Sequence, residues 1–328
     1  MEAKINKQTP YHRQVYFFSK KFIKDFQRSS KFFLHFNVFF VSLLAIEACV
    51  CLYCLNFYAD SFFIPLFIAF ITLSFFSYLI LFFYFHTKKP DQFHNYKDQF
   101  LRSCRSCLQT KPGQIEHHLS ICSAISYLIE DLKLSPFSKV FKKIAKNLQD
   151  EDLFTLKEVL LVAAKNELVK QITNTPVDIE IHASLAMTYV KLSSLYKEQK
   201  KTDFLWKQKQ NQKNKVLDKK FSISIKRAIE EFQILNDLAP QDPWVHAQLA
   251  KSYDELDMTQ EQMGQYEKIL ELRPDDHQVL FQCACCYFKL GYNAKGLKAY
   301  EKLKNSHFLR AKDLLAYYGK ENLTVAEL

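Results

Sequence analysis

Two long apolar runs dominate the first part of the chain, at residues 37–58 and 62–85. The second run has 24 residues and no charge, and each run exceeds the ~20 residues that a membrane-spanning helix requires. A pair of buried soluble helices is the alternative, but runs this long and this rich in Phe, Leu and Ile favour a bilayer. Because the connector at residues 58–61 is too short for a domain, the pattern predicts a transmembrane helical hairpin within residues 37–86.

Lysine and arginine lie in the two segments that flank this hairpin and are absent from the connector between its helices. Residues 1–36 hold eight of them, the connector holds none, and Lys88, Lys89 and Lys97 follow the second run. Positively charged flanks stay in the cytoplasm, so both termini are predicted to be cytoplasmic, with a bacterial inner membrane as the expected location.

Residues 1–36 predict a basic amphipathic helix. Phe18, Phe22 and Phe26 step by four, and Lys20, Lys24 and Arg28 step by four from a point two residues later. Two residues rotate a helix by roughly 200°, so the rings and the cations lie on opposite faces. This pattern is typical of a helix lying on an anionic membrane surface, while packing on the protein's own soluble part is the alternative.

Glu47 is the one carboxylate in the first run and lies near its middle. In an antiparallel hairpin it lies at the depth of the hydroxyl residues Thr72, Ser74 and Ser77. An ionisable group at that depth suggests a functional role, such as an oligomer contact or a proton-coupled element. A neutral glutamate bonded to the hydroxyls is the structural alternative.

The second half of the chain repeats with a period of 34 residues. Pro240, Pro274 and Phe308 are 34 residues apart, while Pro176 precedes Pro240 by 64, which is one period plus a 30-residue insert. The same steps relate the members of two further sets, Ala186, Ala250 and Ala284, and Tyr189, Tyr253 and Tyr287. Such a period predicts stacked helical hairpins rather than a domain with one catalytic cleft.

These residues resemble the tetratricopeptide repeat (TPR) family, most clearly over the unit containing His246, Leu249, Ala250 and Tyr253. The resemblance covers about residues 178–308 and implies a TPR-like α-α superhelical array. The fold class is therefore predicted to be all-α, a transmembrane hairpin followed by this array. The predicted domains are a basic helix at 1–36, the hairpin at 37–86, a helical linker at 87–176 with a possible degenerate repeat, the repeats at 177–308 with an insert at 194–223, and a capping helix and tail at 309–328.

The family resemblance implies a concave groove that binds peptides or partner helices, lined by the first helix of each unit. The projected groove residues are Met187, Val190, Trp244, Lys251, Asp254, Phe281, Cys285 and Phe288. The Lys and Asn positions with which this family clamps a C-terminal carboxylate are missing from this set. An apolar, aromatic-lined groove for a hydrophobic or amphipathic segment is therefore expected. Coverage of these side chains by the C-terminal residues, or by helices between 96 and 174, is the alternative.

The charge is concentrated in two places. The formal net charge is +10; residues 1–36 carry eight basic against two acidic residues, and residues 197–220 carry nine lysines against three acidic residues. The rest of the chain is close to neutral, so a nucleic-acid-binding body is not expected. The insert either contacts an acidic lipid, RNA or acidic partner, or is a solvated extension of two helices.

Nine cysteines in a cytoplasmic protein are expected to be reduced thiols. Cys104, Cys107, His117 and Cys122 are spaced so that two antiparallel helices could bring them together around zinc, although ordinary core packing also explains Cys122. No metal and no cofactor is predicted.

The sequence therefore predicts a membrane-anchored TPR scaffold or adaptor that binds a protein or peptide partner on the cytoplasmic side. It contains no phosphate-binding loop or nucleophile motif, so an enzyme is not expected. A paired hairpin with both tails on one side is also similar to inclusion-membrane proteins of intracellular bacteria, which would present the repeats to host cytosol. A third possibility is a regulatory or assembly subunit of a membrane complex that uses Glu47 and forms homo-oligomers.

Overall fold

A computed structural model describes residues 10–57, 63–110, 113–132, 142–202 and 207–318. Over these ranges the chain forms α-helices and one 3₁₀ helix, with no strand, so the all-α prediction is confirmed. The chain divides into two compact units, Met1–Ala164 and Lys165–Leu328. The helices are α1 (Pro10–Phe57), α2 (Phe63–Ser106), α3 (Ile115–Asp131), α4 (Lys142–Ile172), α5 (Ile179–Thr202), α6 (Lys207–Leu238), α7 (Pro243–Asp254), α8 (Thr259–Leu272), α9 (His277–Lys289), α10 (Asn293–Asn305) and the 3₁₀ helix Ala311–Ala316.

Helices α1 and α2 form the long antiparallel pair of the first unit. Phe22 packs against Phe100, Phe26 against Phe93, and Phe36 against Phe85, so the partner number falls as the α1 number rises. Each helix extends beyond the predicted span without a break. The predicted boundary at residues 36 and 37 is therefore not a structural one, and α2 runs on through Pro90. The predicted connector at residues 58–61 lies outside the described residues.

Helix α3 closes the polar end of this pair. The Tyr11 hydroxyl donates to the Ser120 carbonyl oxygen at 3.2 Å, and Ile121, Ile125 and Leu128 of α3 have no exposed surface. Lys89 of α2 donates to both carboxylate oxygens of Asp152 on α4 at 2.8 Å. These contacts give the first unit a helical core outside the apolar runs.

The second unit is an array of antiparallel helical pairs, α5 with α6, α7 with α8, and α9 with α10. Ala186, Ala250 and Ala284 have no exposed side chain, so each allows the close approach of helices that the period predicted. The unusual length of the first pair comes from the insert: α5 continues to Thr202 and α6 begins at Lys207. The extended-helix interpretation of the insert therefore describes its flanks, while residues 203–206 lie outside the described residues.

Successive units are joined through the carbonyl oxygen of the proline that ends each one. His182 Nε2 lies 3.0 Å from the Pro176 oxygen, and His246 Nε2 lies 2.9 Å from the Pro240 oxygen. At the third junction the Pro274 oxygen accepts from Lys302 Nζ at 2.8 Å. Each of these turns thus has a side-chain donor for its proline carbonyl group.

The 3₁₀ helix begins 34 residues after the start of α9, where the first helix of a fourth unit would begin. Leu314 occupies the position of Leu280 one period later and has no exposed surface. It packs in one cluster with Phe281, Phe288 and Leu303. The 3₁₀ helix thus packs on the end of the last helical pair, and residues 319–328 lie outside the described residues.

Candidate functional site

The middle of the predicted groove is open to solvent. Trp244 at the start of α7 is 41% exposed, although its ring meets Phe232 edge-on with centroids 5.9 Å apart. Lys251 and Asp254 on the same helix are exposed. Met187 and Val190 of α5 are half-buried against the core of the first two pairs. These five residues present a mixed apolar and charged surface.

In the last helical pair, α9 with α10, the predicted groove aromatics are buried, which corrects the prediction of an aromatic-lined groove. Phe281 is 6% exposed and Phe288 is 2% exposed, so neither ring is available to a partner. The Arg310 guanidinium lies 4.8 Å from the centroid of the Phe281 ring, and Tyr318 meets Phe288 edge-on at 5.8 Å. The C-terminal residues thus cover these rings, as the alternative interpretation proposed. Cys285 is half-buried, and burial raises the pKa of its thiol.

A narrow cleft opens between α5, α6 and α7 beside the exposed residues. Val190, Phe221 and Ile225 supply its apolar lining. Lys197 of α5 and Glu255, which follows α7, form an ion pair among the residues that line it. Because its lining also includes serines and Lys251, the cleft is suited to a polar segment as well as to an apolar one.

The apolar portions of α1 and α2 are almost unburied in the protein. The most apolar window of the candidate span Tyr11–Cys54 has a mean hydropathy of 2.0 and is 6% buried, and that of Pro65–Ser106 has a mean hydropathy of 2.4 and is 0% buried. Both helices are long and apolar enough to cross a membrane, by length and composition. Large side chains such as Phe39 and Ile80 are 63% and 68% exposed.

Glu47 reaches one of its three predicted hydroxyl neighbours. The Ser74 hydroxyl donates to Glu47 Oε1 at 2.8 Å, while Oε2 is enclosed and has no hydrogen-bond partner among the described residues. Thr72 donates to backbone oxygens of its own helix instead. Ser77 is half-buried one turn further along α2. A second cross-helix bond, from the Tyr78 hydroxyl to Asn37 Oδ1 at 3.0 Å, was not anticipated from the sequence.

The aromatic face of the N-terminal basic segment is covered by the protein itself. Phe22 and Phe26 are each 6% exposed and pack against aromatic residues of α2, so they are not free to enter a bilayer. This corrects the membrane-surface interpretation of those rings. Lys20, Lys24 and Arg28 are exposed on α1, and their contact with a membrane surface stays a prediction.

The four candidate zinc ligands do not form a site. Cys104 is completely buried, and burial raises the pKa of its thiol to about 12. His117 Nδ1 lies 3.1 Å from the Thr110 carbonyl oxygen, and the Cys122 thiol donates to the Ala164 carbonyl oxygen at 3.5 Å. Cys107 is half-buried. Within the described ranges, no group of three or more His, Cys, Asp or Glu residues could hold a metal ion.

Two features of the structure went unrecognised in the sequence. The Lys89–Asp152 ion pair joins residues 63 positions apart that no periodic signal relates. The paired histidines His182 and His246, by contrast, occupy equivalent positions of the repeat, and that recurrence was a usable signal for a shared structural role.

The sequence matches no family model and no curated protein. Solved structures that are similar to the chain include two of MamA. "MamA MSR-1 C2" is 13% identical, with 69% of this chain and 97% of that chain covered and a TM-score of 0.32. "MamA AMB-1 P212121" is 17% identical, with 64% and 92% covered and a TM-score of 0.33. At these values the description of the fold rests on the helices and their spacing.

Proposed function

We propose that this protein is a membrane-anchored helical-repeat scaffold that binds a protein or peptide partner, without catalysing a reaction. The observation that carries the proposal is the exposure of the apolar windows of α1 and α2, 6% and 0% buried. A core helix of a soluble protein buries such a window, because each exposed apolar Å² costs about 25 cal/mol in water. A bilayer provides the apolar surroundings that the protein itself does not supply.

The positive-inside rule supports cytoplasmic termini, and a bacterial inner membrane is the proposed location. Eight basic residues precede the first apolar run and none lies in the connector at 58–61. The repeats would then face the cytoplasm. Anchoring them confines a bound partner to the membrane surface and raises its effective concentration there.

The binding surface is the solvent-exposed part of the predicted groove. It consists of Trp244, Lys251 and Asp254 on α7, next to the half-buried Met187 and Val190 of α5. An exposed tryptophan beside two opposite charges favours a segment that has both an apolar anchor and charged residues. A purely hydrophobic ligand is less suitable because Phe281 and Phe288 are covered.

Membrane anchoring is tested by fractionation. We expect the full chain to sediment with membranes and to resist extraction by alkaline carbonate, since α1 and α2 would be held by hydrocarbon. A variant with arginine at the exposed positions Phe39 and Ile80 should lose this resistance. Release of the unaltered chain by carbonate would contradict the anchor.

Partner binding is tested by photocrosslinking in cells. A photoreactive phenylalanine at Trp244 should give a discrete adduct, and the same group at Lys268, an exposed residue of α8, should not. Adding Lys251→Glu should weaken the adduct from position 244 because it reverses a charge in the binding surface. Equal adducts from both positions, insensitive to that charge, would place the partner elsewhere.

A further inference from the structure

Helix α6 has two faces of different character. One face is buried in the repeat core and includes Leu217, Ile225 and Phe232, which are 4%, 1% and 0% exposed. The side away from that core also carries apolar residues, Val216 and Ile223, which are 55% and 51% exposed. The outward pair is therefore not explained by the packing of the repeat.

The outward residues align along one line of the helix. Val216 and Ile223 are seven residues apart, so at about 100° per residue they differ by only about 20° in direction and lie about 10 Å apart. Lys219 and Lys226 lie roughly 60° and 80° to one side of Val216 by the same measure and are exposed. Lys215 is exposed on the same side. The result is a narrow aliphatic line bordered on one side by lysines.

The charge of this face is not neutralised locally. In the parts of the chain that the structure describes, none of Lys215, Lys219 and Lys226 forms an ion pair with a carboxylate. They belong to a stretch, residues 197–220, that has nine lysines against three acidic residues. A partner for this face must therefore be anionic and must also accept aliphatic side chains.

We propose that the outward face of α6 binds an anionic lipid surface, with Lys215, Lys219 and Lys226 at the headgroups and Val216 and Ile223 entering between them. The choice of lipid over nucleic acid follows from the aliphatic line, which a phosphate backbone does not use, whereas a lipid interface accepts both kinds of side chain. The inference rests on the proposed membrane anchor in one respect. The anchor would confine the repeats to the membrane surface and raise the effective concentration of lipid, so weak contacts suffice.

The test is amine footprinting of the full chain in lipid nanodiscs. The chain is reconstituted in phosphatidylcholine alone or with about one third phosphatidylglycerol, and acylation of each lysine is measured by mass spectrometry. We expect Lys219 and Lys226 to react at least about threefold more slowly in the anionic discs, since a lysine near such a surface gains about 1 kcal/mol, a factor of about five. Lys268 and Lys298, exposed on α8 and α10, are internal references and should change little.

Two further arms separate the contributions. High salt should abolish the protection, because screening removes the attraction between lysines and headgroups. The variant Val216→Ser with Ile223→Ser keeps every lysine and alters only exposed side chains, so it should fold and lose at least half of the protection.

Each outcome decides the matter. Failure of the chain to co-elute with phosphatidylcholine discs would overturn the anchor and this inference together. Co-elution with equal reactivity in both discs would overturn the inference and leave the anchor standing. Protection by added polyuridylate in neutral discs, without protection by anionic lipid, would assign the face to nucleic acid and overturn the lipid assignment.

Discussion

The buried imidazole of His182 links the first helical pair to the turn before it, and its replacement tests what stabilises the repeats. The ring is 3% exposed; Nδ1 lies 2.6 Å from Glu231 Oε2 and Nε2 lies 3.0 Å from the Pro176 oxygen. A carbonyl oxygen and a carboxylate oxygen only accept, so both ring nitrogens must donate. The structure therefore requires the imidazolium form of His182, bonded to a proline carbonyl group and to a carboxylate.

The cost of His182→Leu follows from these two bonds. A hydrogen bond between charged groups contributes about 1.5–3 kcal/mol and a bond to a neutral group about 1 kcal/mol. Losing both should lower the free energy of unfolding by about 3 kcal/mol. For a unit of this size that corresponds to roughly 6–12 °C in the midpoint of thermal unfolding. Leucine itself suits the position, because Leu280 occupies it in the third unit.

The free energy of unfolding that His182→Leu removes must also depend on pH. Burial by itself lowers the pKa of His182, but its bonds to Glu231 and the Pro176 carbonyl oxygen outweigh burial and raise the pKa above 6.5. A raised pKa in the folded state means that the stabilisation is complete below about pH 6.5 and is lost as the pH rises through the folded-state value. His182→Leu should therefore cost more at pH 6 than at pH 9.

His246 provides a matched control at the equivalent position. Its Nδ1 lies 2.8 Å from Gln265 Oε1, an uncharged group. Lys268 occupies, one period earlier, the position of Lys302, which donates to the Pro274 oxygen. In His246→Leu, Lys268 can therefore donate to the Pro240 oxygen in place of the lost imidazole. In the first helical pair the position equivalent to Lys268 is Ile234 on α6, which cannot donate to the Pro176 oxygen. His246→Leu should consequently cost less than His182→Leu.

The measurement is thermal unfolding of the full chain, followed by the fluorescence of Trp244, which contacts Phe232, in a Trp206→Phe background. Adding Ile234→Lys to His182→Leu should recover part of the lost stability by supplying a donor for the Pro176 oxygen. Equal losses for His182→Leu at pH 6 and pH 9, together with no recovery by Ile234→Lys, would refute this account of the junction.

Two other substitutions have sharp expected outcomes. Gly296→Ala should destabilise the last helical pair by about 1–3 kcal/mol, because the new Cβ would lie 2.6 Å from Phe288 Cε1. Gly264→Ala in α8 is the control, because its new Cβ meets no atom within 4 Å and the change should be neutral or stabilising. Thermal denaturation measures both. Glu47→Gln should leave the hairpin as resistant to unfolding in detergent as the unaltered chain, because the glutamine side-chain oxygen still accepts from Ser74. Glu47→Ala should lower the free energy of unfolding by about 1 kcal/mol. Equal losses for the two variants would show that the charge of Glu47 matters.

The repeat was predictable because it is encoded locally and several times over. The 34-residue step fixed which residues share a role, and Leu185, Leu249 and Cys283 are buried at the equivalent points. Asp242 and Asp276, also 34 residues apart, each accept from the backbone N–H groups that begin the following helix. A recurring signal of this kind needs no knowledge of distant contacts.

What covers each apolar face was not predictable in the same way. The ring of Phe288 continues the pattern that placed Val190 in the groove, and nothing in that pattern shows that Tyr318 folds back over it. Similarly, the alternation of Phe22 and Lys20 establishes an amphipathic helix without stating what its apolar face meets. Burial of that face depends on contacts with α2, such as the one between Phe22 and Phe100, which are 78 residues apart in the sequence.

One helix therefore holds two kinds of apolar residue that the sequence does not distinguish. In α1, Phe22 and Phe26 are each 6% exposed because α2 covers them, while Phe39 and Ile46 are 63% and 62% exposed on the same continuous helix. Two things change along α1 by about residue 37: the lysines and arginines end, and exposed apolar residues become frequent, whereas the earlier exposed rings of Phe17 and Phe32 stand among basic residues. A solvent boundary at that point accounts for both changes at once, since charge is costly in hydrocarbon and exposed rings are costly in water. This coincidence along α1 supports the proposal that the bilayer lies beyond residue 37 and that the polar end of α1 lies in water.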